Sequence, residues 1–340
     1  MANDSVVLQV AGHEITVSNP TKVFFPARGD TKTKLELIEY YLAVGDAVMR
    51  QMLGRPVLLQ RFPNGSSGQS FFQKRIPDSA PEWLATTTVS TPNGTDSRAL
   101  VVADLGHLVW AVNLGCLGFH SWPYRVSDPE HADELRLDLD PQPGTTFEMT
   151  RRAAASVHAL LTELGLVAFL KTSGSRGLHV YVPLAPRWDF IAVRSAAVAV
   201  ARELERRQPD LFTAAWWKEE RGARIFIDFN QNAPHKTVFA PWSVRARDHA
   251  PVSCPLTWDE LADVNPDVLT IASVPALVAR RGDPWAATAT ALNSLDPLLA
   301  MVERDKAAGL VDAPWPPVYP KMDGEPPRVA PSRARKPKPA

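Results

Sequence analysis

The stretch LRLDLDPQPG, residues 135–144, constrains the fold more than any other part of the chain. Leu135, Leu137 and Leu139 alternate with Arg136, Asp138 and Asp140, and Pro141 ends the run. Successive side chains of a strand point to opposite faces, so this period of two reads as a strand. One face is leucine and belongs in a core. The other carries two carboxylates about 6.6 Å apart. Two carboxylates in one partly buried pocket repel, and one is pushed toward its protonated form unless a cation compensates. Alone the pattern is common and suits an acidic surface strand first, and it also admits a site for Mg²⁺ or Mn²⁺, which favour hard oxygen ligands.

The elements around this strand point to an α+β fold: mainly antiparallel sheet, with helices packed on it. VVLQVAGHEITVS alternates about Gly12 and reads as a hairpin. Apolar residues at 35, 38, 42, 49 and 53 form a helical stripe over 34–53, and residues 55–62 form a strand. Residues 64–69 make a Gly/Ser turn. RALVVAD and HLVWAVNLGCLGFHSW are apolar runs that fit strand or helix. After 135–140 the pattern predicts a helix over 147–164, strands over 166–174 and 177–184, a helix over 190–208, and strands over 224–232 and 236–244. From 256 to 308 the signal is helical, with Pro275, Pro284 and Pro297 as breaks.

We expect one domain over 1–311, in three parts: 1–125, 126–250 and a helical 251–311. From 312 to 340 the chain is rich in proline and ends in Arg and Lys, which predicts a flexible tail or a basic arm for nucleic acid. Truncation after about 312 is then expected to spare catalysis. The 37 basic and 37 acidic side chains balance, so total charge does not single out a polyanionic partner. No apolar run is long enough to span a bilayer, and the N-terminus lacks the pattern of a secretory signal, so a cytoplasmic location is expected. Cys116 and Cys254 form no CxxC motif and are expected in or near the core.

Three further stretches carry chemistry. Asp228 stands among Ile225, Phe226, Ile227 and Phe229, company in which a lone charge is unfavourable. It is either a strand-end residue accepting backbone hydrogen bonds or a third carboxylate of a two-metal site. TSGSRGLHVYVPL, residues 172–184, places Ser173, Gly174, Ser175 and Gly177 in a turn whose amides suit an anion, with Arg176 as a forked phosphate donor and His179 opening a strand. Lys236, Arg245 and Arg247 form a basic run, either solvated or facing phosphate. Phe71 and Phe72 stand beside Lys74 and Arg75. Adjacent strand residues face opposite ways, so one ring is expected exposed, for packing or for base stacking.

In this order the pieces resemble the archaeo-eukaryotic primase superfamily, and most closely the polymerase domain of bacterial ATP-dependent DNA ligase D. The resemblance runs over roughly 14–282, through NPTKVFFPARGDTKTKLELIEYY, RPVLLQRFPNG, FFQKRIPDSAPEWL, GFHSW, LDLDP, TSGSRGLHVYVPL, FIDFNQN and KTVFAPWSVRAR. It implies a primase-polymerase core in which Asp138, Asp140 and Asp228 hold two Mn²⁺ or Mg²⁺ ions. It implies that His120, Ser173, Arg176, His179, Lys236 and Arg245 surround the incoming nucleoside triphosphate. Phe71 and Phe72 match aromatics that pack on template bases, and Arg221 matches a loop arginine of template handling. Lys22 and Lys34 match a pocket for a downstream 5′-phosphate, and Arg61 a DNA contact. Arg176 stands where the family often has Lys, and Gln60 where some members have a basic residue.

The implied activity is addition of nucleotides, with ribonucleotides preferred, to primer 3′ ends in end joining or gap filling. The implied partners are gapped or broken primer-template DNA, NTP or dNTP, a separate DNA ligase and end-binding repair proteins. The chain is expected to act as a monomer near the nucleoid, away from membranes. A metal-dependent nuclease would use similar carboxylates, and a non-catalytic end-binding module would need none of them.

Overall fold

The computed structural model describes residues 4–92, 94–322 and 324–328. Strands β1 (Ser5–Val10) and β2 (His13–Ser18) form the expected hairpin. Ala11 and Gly12 both take positive φ, 52° and 83°, which matches a turn to the twist of its strands. A short ladder, β3 (Val23–Phe25) with β4 (Lys32–Thr33), leads into the first helix.

The stripe over 34–53 forms two helices, α1 (Lys34–Ala43) and α2 (Gly45–Met52), which meet at Val44. Thr33 and Glu36 cap α1 reciprocally. A Cβ on Gly45 would fall 2.7 Å from Leu105, so the break lets α2 start close against the next helix. The apolar runs resolve into β8 (Asp96–Val101), helix α3 (Leu105–Asn113) and β9 (Cys116–Ser121). Gly115, at φ 84°, makes the turn from α3 to β9.

With β5 (Pro56–Arg61), β6 (Phe71–Gln73), β7 (Thr86–Ser90) and β15 (Val238–Phe239), these strands build one sheet. Its order is β15-β9-β5-β8-β7, with β6 also paired to β5. Only 238–239 of the strand expected over 236–244 is extended. Trp242 takes φ 66° and the chain turns away there.

The second sheet has the order β13-β14-β10-β12-β11-β16. Its members are β10 (Glu134–Pro141), β11 (Phe169–Thr172), β12 (Leu178–Pro183), β13 (Phe212–Thr213), β14 (Ile225–Asp228) and β16 (Pro255–Leu256). Every neighbouring pair is antiparallel except β13 with β14. Leu135, Leu137, Leu139, Val180 and Val182 are fully buried. They pack on the side of α4 (Phe147–Glu163) and α5 (Phe190–Arg207). The opposite face of this sheet turns toward the first sheet, and Arg136 Nη1 donates to Ser121 O of β9 at 2.9 Å. The fold is mixed α and β with mainly antiparallel sheets, as the pattern predicted.

After β16 the helices are α6 (Val274–Arg281) and α7 (Asp296–Ala307), joined by short 3₁₀ turns. Pro275 and Pro297 lie in the first turns of these helices, where a missing N–H is tolerated. They start helices rather than break them. One contiguous apolar core includes residues of all three expected parts, from Val10 to Ala313. Cys116 and Cys254 are buried and free. No helix among the described residues is long and apolar enough to cross a membrane.

The proline-rich segment departs from the expected flexible tail. Trp315, Tyr319 and Glu325 are buried, and Asp312 pairs with the fully buried Arg194. Prolines lower the ordering entropy of a strap, and two aromatics give it enough apolar area to hold. The basic end of the expected arm, 329–340, lies outside the described residues.

Candidate active site

Strand register assembles the site. Asp138 of β10 lies opposite Asp228 of β14 on one side and His179 of β12 on the other. His179 in turn faces Lys171 of β11. The row Asp228, Asp138, His179, Lys171 thus crosses four strands on one face. Asp140 follows two residues along the same face of β10.

Local contacts orient the carboxylates. Asn230 N and Gln231 Nε2 donate to Asp228 at 3.1 and 2.8 Å. Gln142 Nε2 donates to Asp140 Oδ2 at 3.0 Å. His179 Nε2 lies 3.3 Å from Asp138 Oδ1. Burial, then the charges of Asp228 and Asp140, push the Asp138 carboxyl up to about 7 against the pull of Lys171 and Arg245. Burial also raises Asp228, opposed by Lys236, Gln231, Asn230 and Arg221. Among the described residues no three His, Cys, Asp or Glu side chains are already closed into a metal-holding group. The donor set nevertheless fits hard divalent ions: the strand register brings three carboxylates to one face, and burial with the charges of the other two resists ionisation at Asp138.

Asp138 and Asp140 open into a cleft of about 410 Å³ lined also by Gln60, Arg176, Gly177, Arg245 and Arg247, and Asp228 stands beside Asp138 outside that lining. One wall is acidic and the other basic. Arg245 lies 3.6 Å over the Phe239 ring and donates to Ser173 O at 2.8 Å. Arg247 donates to Ser175 Oγ at 2.7 Å, and Arg176 is exposed. Ser173 Oγ accepts from Ser175 N and Gly177 N at 3.2 and 3.1 Å. It therefore shapes the turn, and those two amides do not face an anion as the motif suggested. Gly177 is required there, because a Cβ would come within 2.9 Å of Leu139 O.

His120 stands on the facing sheet, between the edges of Phe72 and Phe239, with ring centroids 5.3 and 5.2 Å away. Burial, then Arg245 and Lys171, lower its pKa to about 3, so it is neutral at physiological pH. His179 is likewise held well below the usual histidine range, first by burial. Its approach to Asp138 is therefore that of a neutral ring and not an ion pair. His120 Nε2 and His179 Nδ1 are buried without a hydrogen-bond partner among the described residues. Such atoms are expected where a bound molecule completes the bonding.

Lys171 has no counterpart in the motif reading. It is fully buried, donates to Ser253 Oγ at 2.6 Å, and is held well below the usual lysine range by burial and then by Arg245. The alternation of Phe169 and Lys171 was the only signal for it, and that signal needs the register of β11 to acquire meaning. Gln142, Gln231 and Asn230 were missed for the same reason.

The remaining residues lie around this centre. Phe71 and Phe72 are 47% and 57% exposed, so both rings reach the surface and not one. Arg61 lies 5.1 Å from the Phe71 ring and donates to Leu114 O and Gln73 Oε1. Lys236 is close enough to Asp228 to lower its pKa. Arg221 is buried, stacked 3.4 Å over Phe226, and donates to Ala215 O and Trp216 O. It holds its own loop instead of presenting a free guanidinium. Lys22 Nζ donates to Pro63 O and Asn64 Oδ1 at 2.7 and 3.1 Å. Lys34 is buried and donates to Ser18 and to Asn113 O and Oδ1. Burial, then Lys22, lower its pKa to about 8, and no carboxylate pairs with either lysine among the described residues.

A larger hollow of about 690 Å³ lies beyond Tyr181, lined by Arg55, Asp133, Glu134, Leu184 and Trp285. Arg55 is bound there to Asp133 and Glu134, so that hollow is the poorer host for a triphosphate.

Residues 33–285 match the family model of the LigD primase-polymerase domain. The chain is 39% identical over 254 residues to the multifunctional non-homologous end joining protein LigD of Mycolicibacterium smegmatis, covering 73% of this chain and 32% of that protein. It is 31% identical over 256 residues to the bifunctional LigD of Bacillus subtilis, covering 75% and 41%. The chain thus spans well under half of each. The polymerase domain of Mycobacterium tuberculosis ligase D, solved in complex with DNA, superposes with a TM-score of 0.76 at 34% identity, over 82% of this chain and 99% of that one. Motif order, sheet topology and sequence identity agree: the chain belongs to the family of LigD primase-polymerase domains.

Proposed function

We propose that the chain is a template-directed nucleotidyltransferase that adds nucleotides to primer 3′ ends at DNA gaps and breaks, in end joining. The observation that carries this reading is the cleft with one acidic and one basic wall. Asp138, Asp140 and His179 meet Arg176, Arg245 and Arg247 within one volume of about 410 Å³. That arrangement matches a nucleoside triphosphate held with divalent cations.

In this reading Asp138, Asp140 and Asp228 would hold two divalent ions, Mn²⁺ or Mg²⁺, whose chemistry would be to favour the ionised 3′-hydroxyl and to offset charge at the α-phosphate. Arg176, Arg245 and Arg247 bind the triphosphate oxygens, and Lys236 adds positive charge at the Asp228 end. His120 and His179, both neutral, donate or accept hydrogen bonds without adding charge. The primer hydroxyl attacks the α-phosphate in line and pyrophosphate leaves, so the protein contributes mainly position and electrostatics. Phe71 and Phe72, exposed beside Arg61, form a stacking platform for template bases. Lys22 and Lys34, which pair with no carboxylate among the described residues, suit a downstream 5′-phosphate. Ribonucleotide preference, a monomeric state and a place at the nucleoid complete the proposal.

The test is extension of a labelled primer on a gapped duplex, with and without a 5′-phosphate, comparing NTPs with dNTPs in Mg²⁺ and Mn²⁺. Template-directed lengthening, greatest with NTPs, Mn²⁺ and the phosphate, is the expected result. Shortening of the primer would instead identify a nuclease, and binding without incorporation an end-binding module.

A further inference from the structure

The turn that carries Asp228 is fastened to two different parts of the chain. On one side, Asn232 Oδ1 accepts from Arg136 N at 2.8 Å and Asn232 Nδ2 donates to Arg136 O at 2.7 Å, which ties the turn to the strand of Asp138. On the other side lies the proline-rich strap. Asn230, whose amide binds Asp228 Oδ1, donates through Nδ2 to Pro314 O at 3.2 Å. Its Oδ1 accepts from Arg194 Nε at 2.7 Å. Arg194 then binds Asp312 and the carbonyls of Ala313 and Pro314, and the Trp315 ring lies 4.0 Å from its guanidinium. The hydroxyl of Tyr319 donates to Pro234 O at the far end of the same turn. Trp315 and Tyr319 close over Ala233, which is fully buried.

The strap is itself locked. Glu325 accepts from Trp315 N at 2.7 Å and Met322 N at 3.0 Å, and it pairs with Arg328 at 2.6 Å. Arg328 binds the carbonyls of Pro316, Tyr319 and Pro320. Arg328 O accepts from Trp216 Nε1 at 2.9 Å, and Trp216 O in turn accepts from Arg221. The strap therefore touches both the turn of Asp228 and the loop of Arg221. It lies beyond residue 285, where the match to the family model ends.

We infer that residues 312–328 are a positioning strap for the third carboxylate: they hold the 229–234 turn so that Asp228 stays opposite Asp138. Arg194, Trp315 and Tyr319 are its positioning residues, acting through Asn230 and Pro234. The inference rests on the polymerase reading above.

The test compares the full chain with chains ending at residues 328 and 311, and with Trp315→Leu in the full chain. Each is assayed for primer extension, for Mn²⁺ binding in the absence of DNA and nucleotide by the paramagnetic resonance of free Mn²⁺, and for thermal unfolding. Removing supports of metal ligands typically lowers affinity or activity about tenfold or more. The chain ending at 328 should match the full chain. The chain ending at 311 should bind Mn²⁺ about tenfold more weakly and lose kcat by a similar factor, with KM for primer-template little changed. Addition of a peptide spanning 312–328 should restore part of both. Unaltered Mn²⁺ affinity and kcat in the chain ending at 311 would overturn the inference. If that chain does not hold its fold, Trp315→Leu decides: it keeps the backbone bonds of the strap and should still weaken Mn²⁺ binding and kcat together, and unchanged values would sink the idea. A full chain that fails to extend primers counts against the polymerase reading, and Mn²⁺ binding still reports on the strap.

Discussion

At Asp138 the sheet places a carboxyl between a second carboxyl and a neutral imidazole, with a third carboxyl two residues on. Nothing in folding rewards that arrangement. Burial and like charge both oppose ionisation there, and Lys171 and Arg245 compensate only in part. A residue kept against stability is a candidate for chemistry. Asp138→Asn or Asp228→Asn should therefore lower primer extension by more than about a thousandfold. The melting temperature of the metal-free protein should stay the same or rise. A large fall in melting temperature would show that these carboxylates are structural instead. Lys171 belongs to the same scale. It is a fully buried amine, held well below the usual lysine range by burial and then by Arg245, and it donates to the Ser253 hydroxyl at the end of the acidic row.

At the scale of elements, the strap over residues 312–328 depends on ion pairs as well as aromatic rings. Bonding to Arg328, against burial, lowers the Glu325 carboxyl from 4.5 to about 2. A carboxyl depressed in the folded state stabilises it above the unfolded value. That stabilisation is lost as pH falls through the folded one. The strap should thus loosen between about pH 4.5 and pH 2, ahead of sheets that lack such pairs. Amide hydrogen exchange across 312–322 at pH 3 against pH 6 checks this: Glu325→Gln should show the looser pattern already at pH 6. Equal protection of wild type and variant at pH 6 would mean that Trp315 and Tyr319 hold the strap unaided. The proline pattern was legible in the sequence, but its fit to Arg194 was not. Composition reports how much apolar surface a segment has and not whether a complementary groove exists elsewhere.

At the scale of the whole molecule, the two lysines and the cleft are joined by one loop. Lys22 binds Pro63 and Asn64, directly after Phe62, which lines the cleft. A downstream 5′-phosphate at Lys22 and Lys34 would therefore be read close to the site of incorporation. Replacing Lys22 with Ala should erase the difference in extension between phosphorylated and unphosphorylated gaps. It should also reduce the slope of log affinity against log salt by about one. A phosphate effect that survives in this variant would move the 5′-end pocket elsewhere. Lys34 is a poorer probe, since its buried ammonium also holds Ser18 and Asn113 together.

The sequence by itself determined the strand of Asp138 and Asp140, the apolar face behind it and the two long helices that cover that face. Each follows from a period written within a few residues. It also marked the Gly/Ser turn and the surface aromatics, which are local signals of the same kind. Only the tertiary structure decided that Asp228 stands opposite Asp138, that Lys171 ends the row, and that a proline-rich segment grips the turn between them and solvent. The first and last of these join residues 90 and 84 positions apart, and the second depends on the register of Lys171 with His179 across a hairpin. Alternation shows which face a side chain takes, and packing alone selects the neighbour it meets there.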